Sequence, residues 1–431
     1  MLVEKTLFRI YDLLWAAAVP LLRKHGRLEE GFSQRTLDAP NLINADIWIQ
    51  SASAGEAYLA WEILKRLSCA APLKIMLTTN TSQGLDILLQ AAQDYRSGCN
   101  HSTLQVAYFP FDRPAIMQKA VHRIQPRIMV LLESELWPAL LFQLKQTECR
   151  VLIINGRITP KSLSRYLIFP SLWRRLRPNK ILAISQDDAV RFARLFGTSA
   201  VDIMPNIKFD RIGGSGPVSS GENALGPILP AGKIFLILGS IRREEEHAAA
   251  DIIKEILLRC PETVIGLFPR HMHRIDHWQR TLNRLAIPWG LRSNLTEPVA
   301  GGFVVLWDVF GELSLAYQKS AAALVGGSLA PLGGQNFLEP LIHGITPVIG
   351  PFWENFSWVG KEIIDTGIIH QAASWKEVAD FLIDDIMNPL EKGAVRQQAL
   401  AYISARQGGT DFACRVIEES LKPEYRISNK E

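Results

Sequence analysis

The sequence predicts an α/β protein made of two parallel-sheet domains, on three observations. Short apolar, β-branched runs alternate with helical patterns from residue 47 to about 184, as parallel strands covered on both faces do. A Gly-, Pro- and Ser-rich stretch at 211–232 breaks that pattern, and a second alternation begins at 234. At 431 residues the chain is also too long for one ordinary core.

Composition agrees with a globular protein: 48% of residues are hydrophobic and 21% charged, with no disordered block. The net charge of +4 is too small to argue for a nucleic-acid partner. Two basic groups stand out. Arg9, Arg23, Lys24, Arg27 and Arg35 lie near the N-terminus, and Trp173-Arg-Arg-Leu-Arg-Pro-Asn-Lys180 places an aromatic among cations. Such patches suit an anionic surface, and a solvated basic face explains them equally well. Cys69, Cys99, Cys149, Cys260 and Cys414 are scattered without metal or disulfide spacing, which fits a reducing cytosolic setting.

In chain order, residues 7–22 are apolar but carry Arg9, Asp12 and Pro20. A membrane span needs roughly twenty mostly apolar residues, and a secretory signal needs a small-residue cleavage site, which is missing. An amphipathic helix lying in a membrane interface is preferred, with Trp15 at the boundary and Arg23-Lys24 on the headgroups. A soluble helix packed on the first domain is the alternative. Strands are then expected at 47–51, 73–79, 104–109, 128–132, 151–154 and 181–184, with helices at 55–67, 83–95, 113–124 and 139–146. After the linker, strands are expected at 234–238, 264–268, 303–306, 322–325 and 347–349. The resulting boundaries are an N-terminal helix at 1–30, a first domain at 31–210, the linker at 211–232, a second domain at 233–390, and a helical segment at 391–431 that crosses back. Two such domains place a ligand cleft at the carboxyl ends of their strands.

The clearest local signal is residues 326–340, Gly-Gly-Ser-Leu-Ala-Pro-Leu-Gly-Gly-Gln-Asn-Phe-Leu-Glu-Pro. Two glycine pairs between an apolar strand and a helix allow close approach of backbone to a phosphate at the helix N-terminus. Asn336 and Glu339, three apart, can share a helix face, with Glu339 accepting from two ribose hydroxyls. A tight turn with ordinary capping is the competing reading.

Other strand ends carry chemistry of their own. Glu56 opens the first helix and can take a proton from an acceptor hydroxyl, or it can simply complement the helix dipole. Glu133 and Glu135 end another strand, a position that asks for a ligand or a structural ion pair. Lys208, just before the linker, can neutralise phosphate charge on a leaving group. Pro269 and Arg270 follow a strand of the second domain, Arg270 as a phosphate fork; Phe310, Gly311 and Glu312 can frame a nucleotide. Ordinary strand-end loops explain both stretches equally well. His271 and His273 lack metal spacing and a third ligand.

Together these segments resemble the 3-deoxy-D-manno-octulosonic acid (Kdo) transferases of lipopolysaccharide synthesis. The motifs that carry the resemblance are Ser53-Ala-Gly-Glu56, Thr78-Thr-Asn-Thr81 with Gly84, Glu133-Ser-Glu-Leu-Trp-Pro138, Asn155-Gly-Arg157, Lys208-Phe-Asp210, Pro269-Arg-His271 and the 326–340 run. The resemblance covers the chain to about residue 360. It implies a two-domain GT-B glycosyltransferase fold and an inverting, metal-independent transfer without a cofactor. CMP-Kdo would be the donor and the tetraacylated lipid A precursor, lipid IVA, the acceptor, at the cytoplasmic face of the inner membrane. By motif, Glu56 looks like the general base, and Glu133 and Lys208 like transition-state stabilisers. Pro269, Arg270, Phe310, Gly311, Glu312, Asn336, Phe337, Leu338 and Glu339 look like the CMP contacts. The chain departs from the family pattern at Gln335 (usually His), Phe310 (Met), Phe337 (Pro), Ala54 (Val) and Ile241-Arg-Arg-Glu244 (Thr-His-Glu-Gly). A GT-B transferase with another nucleotide sugar, or a silent lipid-A-binding protein, are the rival readings.

Overall fold

The computed structural model describes residues 2–23, 26–39, 42–68, 72–98, 103–212, 225–229 and 232–422. Lys24, Cys69, Cys99, most of the expected linker and the last nine residues lie outside the described residues, as does the side chain of Arg27. The chain divides into two compact units, Met1–Arg211 with Arg406–Glu431, and Ile212–Ala405.

The first unit is a seven-stranded parallel sheet: β1 (Ile47–Ser51), β2 (Lys74–Thr79), β3 (Thr103–Tyr108), β4 (Ile128–Leu132), β5 (Arg150–Gly156), β6 (Lys180–Ala183) and β7 (Val201–Ile203). Their spatial order is β3-β2-β1-β4-β5-β6-β7. Ile47 of β1 stands opposite Ile75 of β2 and Ile128 of β4, and all five residues of β1 are buried. That double burial explains the continuous apolar runs. One face is covered by the helices Ala54–Arg66, Ser82–Gly98 and Gly409–Leu421. The other is covered by Pro114–Ile124, Pro138–Leu144, Gln186–Phe196 and the N-terminal helix Leu2–Leu22. The order in which strands are added reverses between β1 and β4, the place where open α/β sheets bind ligands at the strands' carboxyl ends.

The second unit repeats the plan with β8 (Phe235–Ile241), β9 (Val264–Pro269), β10 (Trp289–Leu291), β11 (Val304–Leu306), β12 (Ala322–Val325), β13 (Pro347–Ile349) and β14 (His370–Gln371), in the order β10-β11-β9-β8-β12-β13-β14. Every recorded pairing is parallel. Its switch point falls between β8 and β12.

The N-terminal helix is anchored to the first unit. Phe8 is buried with its ring 4.2 Å from that of Phe142, and Trp15 lies 5.7 Å from Phe111. Asp12 takes both Nε and Nη2 of Arg113, at 3.1 and 3.2 Å. The Tyr11 hydroxyl donates to Asp112 at 3.1 Å. Asp112 also accepts the first N–H groups of helix Pro138–Leu144, from Ala139 and Leu140. Burial pushes its carboxyl up to about 7. Trp15 therefore faces the domain and not a membrane boundary. The opposite face stays apolar and exposed: Ile10, Leu13, Leu14 and Leu21 recur at helical spacing. No helix among the described residues is long and apolar enough to cross a membrane. Trp173 likewise departs from expectation. It is buried between Tyr166 and Phe196, leaving Ile168 and Phe169 as the exposed apolar side chains beside the basic cluster.

The C-terminal helical stretch is two helices. Lys392–Ser404 belongs to the second unit, so the return to the first begins at Arg406 and not at 391. It is pinned by Asp210, whose carboxylate accepts from the Gly408 N–H at 2.7 Å and from the Thr410 N–H and hydroxyl at 2.6 Å each. These are orphan donors at a helix N-terminus, which a carboxylate satisfies well. Asp210 of the Lys-Phe-Asp motif is thus a fastener for the last helix.

Candidate functional site

In the first unit three carboxylates and one ammonium gather at the carboxyl ends of β1 and β4. Ser53 caps helix Ala54–Arg66 by accepting the Glu56 N–H at 3.4 Å. The Glu56 carboxylate folds back to accept from the Ala52 N–H and, at 3.3 Å, from the Ser53 hydroxyl. The dipole-complementing reading of Glu56 is therefore met by geometry. The same carboxyl group is also pushed up to about 8, first by burial, then by the charges of Glu135 and Glu133. Helix capping alone would have held it low.

Glu133 follows β4 with φ of 55°, a left-handed conformation uncommon for a residue with a Cβ. Its N–H donates to Ile154 O at 3.0 Å, and its Oε1 lies 2.6 Å from Lys208 Nζ. Backbone strain held at such a place points to function. Glu135 takes the indole N–H of Trp137 at 2.7 Å and a bond from the Gln50 side chain, yet burial still pushes it up to about 7. Gln50 is itself buried and fixed by the Thr78 hydroxyl, which donates to it at 2.6 Å. Sequence reading placed Glu135 at this strand end but left it out of the proposed site, although two acids flanking one serine were the signal.

Lys208 is positioned by two asparagines. Asn155, buried at the end of β5 with φ of 57°, accepts the Ile207 N–H at 2.9 Å. Asn206 accepts the Lys208 N–H at 3.0 Å. Asn155-Gly-Arg and Lys-Phe-Asp thus meet in space. Gly84 of the Thr-Thr-Asn-Thr motif allows close packing: a Cβ there would come within 2.3 Å of Thr79 Oγ1.

In the second unit the candidate donor residues follow β9, β11 and β12, but four roles differ from expectation. First, the N–H groups of Gly327, Ser328 and Leu329 are already taken. They donate to the buried carboxylate of Glu245 at 2.6, 2.9 and 2.8 Å. The glycines there serve an internal anion. Second, Asn336 precedes the helix Leu338–Ile342, and its side chain accepts the Leu338 N–H at 3.2 Å. It shares no helix face with Glu339, and a five-residue helix carries little dipole. Asn336 is exposed, while Glu339 is half-buried and raised by that burial.

Third, the side chains of Phe337 and Leu338 are buried, Phe337 against Trp353 and Phe356. Any ligand contact from these two positions is left to their backbone. Fourth, Glu312 is saturated: Arg292 donates to both its oxygens at 2.9 and 3.1 Å, and the Trp307 indole N–H donates at 2.9 Å. Those bonds fix the turn that presents Phe310, 81% exposed, beside Gly311 at φ of 86°. Pro269 ends β9, and Arg270 extends from it into solvent. Arg292 and Glu245 carried no sequence signal beyond being charged.

Comparison with known proteins places the chain beside one enzyme family. The family model of 3-deoxy-D-manno-octulosonic-acid transferase (kdotransferase) matches residues 23–211. The chain is 26% identical over 396 residues to a 3-deoxy-D-manno-octulosonic acid transferase of Bordetella pertussis, covering 90% of this chain and 91% of that one. It is 26% identical over 349 residues to the enzyme of the same description from Haemophilus influenzae, covering 80% of each. Among solved structures, a glycosyltransferase from Rickettsia africae superposes with a TM-score of 0.56 at 10% identity, over 89% of this chain and all of that one. UDP-GlcNAc 2-epimerase from Neisseria meningitidis gives 0.53 at 12% identity, over 87% of this chain and 99% of the other. These two likenesses speak to fold alone, and the fold they share is GT-B.

Proposed function

Because this chain belongs to the Kdo transferase family of glycosyltransferases, we propose that it transfers Kdo from CMP-Kdo to the lipid A precursor, with inversion and without a metal ion. The observation that carries the reading is the cluster of Glu56, Glu133, Glu135 and Lys208 at the switch point of the first sheet. A base that removes a hydroxyl proton near neutral pH needs a carboxylate raised above its usual range, and Glu56 has one. The acceptor oxygen attacks the anomeric carbon as the bond to the CMP phosphate breaks, and its proton passes to Glu56. Lys208 stabilises the charge that develops. On the second unit Arg270, Asn336 and Glu339 hold CMP, and Phe310 offers an exposed ring face for the base. The test is mass spectrometry of lipid IVA after incubation with CMP-Kdo, with and without EDTA. A product heavier by Kdo, formed equally in both, is expected. No product, or a product only with another nucleotide sugar, overturns the donor; loss in EDTA restored by Mg²⁺ overturns the metal-free mechanism.

The acceptor is a lipid, and the proposal includes peripheral binding of the first unit at a membrane surface. The exposed Ile10, Leu13, Leu14 and Leu21 stripe supports this, next to Arg9. The triple variant Leu13→Glu, Leu14→Glu, Leu21→Glu is expected to lose at least about a hundredfold in partitioning onto phosphatidylglycerol vesicles, since each buried Leu contributes roughly 1.5–3 kcal/mol. Sedimentation with vesicles measures it. Circular dichroism should be unchanged, because the packed face of Phe8, Tyr11 and Trp15 is untouched. Undiminished sedimentation would assign anchoring to another surface, such as Ile168 and Phe169.

A further inference from the structure

β8 and β9 are adjacent and parallel, with Ile241 opposite Pro269. The Arg270 N–H donates to Ile241 O at 2.8 Å, so the next residues, Arg242 and Arg270, leave the two strand ends side by side. Neither guanidinium forms an ion pair or hydrogen bond among the described residues. Neighbouring arginines differ: Arg274 is taken by Glu246 and Arg292 by Glu312. The arrangement is held from behind. Glu245 accepts the Arg242 N–H at 3.1 Å while its oxygens fill the N–H groups of the glycine loop. An anionic ligand at this end of the sheet therefore finds those three N–H groups occupied and two unpaired guanidiniums available. His271 registers them: burial, then Arg242, Arg270 and His273, lower its imidazole, with Glu244 opposing.

Resting on the reading that CMP-Kdo is the donor, we propose that Arg242 determines donor specificity by binding the sugar carboxylate, while the adjacent Arg270 binds the phosphodiester. In CMP-Kdo the carboxylate and the phosphate oxygen are attached to one carbon, so two anions are presented a few ångströms apart. Two neighbouring forks match them, and the planar guanidinium suits a carboxylate bidentately. A nucleotide carrying a neutral sugar lacks the second anion and leaves Arg242 without a partner, which is a basis for rejection. The stretch containing Arg242 is also where this chain departs from the family pattern.

The experiment compares CMP with CMP-Kdo in wild type, Arg242→Ala, Arg242→Lys and Arg270→Ala. CMP has the phosphate but no sugar carboxylate. Arg242→Ala is expected to change CMP affinity, measured calorimetrically, by less than about threefold, while raising KM for CMP-Kdo about ten- to a hundredfold. Arg242→Lys should recover part of that loss, and Arg270→Ala should weaken both ligands. Equal weakening of CMP and CMP-Kdo by Arg242→Ala, or no effect on either, overturns the assignment. If wild type itself neither binds CMP nor turns over CMP-Kdo, the donor reading has failed; if it does both while Arg242→Ala is silent, only the role of Arg242 has failed.

Discussion

Glu56→Gln is expected to lower turnover by roughly 10²–10⁴-fold while leaving CMP binding nearly unchanged. The carboxylate sits at the end of β1 with its pKa pushed up to about 8 by burial and by Glu135 and Glu133. The sign of its pH dependence follows. Below about 8 the group is mostly protonated and cannot accept a proton; above it the base is formed. Wild-type kcat/KM should therefore climb with pH and level off above about 8, and that limb should vanish from the residual rate of Glu56→Gln. The amide oxygen can keep the Ala52 N–H, and the NH2 that replaces the other oxygen can donate to the Ser53 hydroxyl, so the helix start should survive. Near-normal turnover in the variant, or a limb that persists in it, would remove Glu56 from the role of base.

The central strands were legible because they are buried on both faces. Runs such as Ile128–Leu132 and Val264–Pro269 have no polar alternation to confuse them with anything exposed. The strands that were not legible are the edge pieces β7, β10 and β14, two or three residues long and partly exposed, with too few side chains to show a period. In the first unit, residue types at strand ends singled out Glu56 and Glu133, and position before the linker singled out Lys208; the structure brings the three together. What holds them was hidden, because the Asn155 bond to the Ile207 N–H joins residues 52 apart in sequence. The glycine loop misled for a physical reason: the same backbone geometry that cradles a phosphate also cradles a carboxylate, and Glu245 lies 82 residues upstream of Gly327. Aromatic placement misled likewise. Trp173 lies next to cations in sequence and Trp15 lies in a segment bounded by Arg9 and Arg23, but helical phase turns both rings inward, Trp15 onto Phe111 and Trp173 onto Tyr166 and Phe196.

Lys208→Met and Glu133→Gln should move the acid limb of the pH profile in opposite directions. Lys208 Nζ lies 2.6 Å from Glu133 Oε1, so the pair presents little net charge to Glu56. Removing the ammonium leaves Glu133 uncompensated among acids, which further disfavours the charged form of Glu56 and shifts the limb upward. Replacing Glu133 by its amide removes a like charge that raises Glu56, and the limb moves downward. Glu135→Gln should move it downward further, since Glu135 acts on Glu56 more strongly than Glu133 does. Turnover at the new plateau separates proton affinity from stabilisation of the transition state. Lys208→Met should remain low there, by roughly 10²–10³-fold, because a positioned cation that meets developing charge is lost at every pH. Glu135→Gln has no such loss to make good and should approach the wild-type plateau. Profiles of kcat/KM from about pH 5 to 10 for the three variants decide the matter. A limb that shifts the same way in Lys208→Met and Glu133→Gln would show that the pair does not set the proton affinity of Glu56. A full recovery of Lys208→Met at high pH would reduce the lysine to a counter-ion.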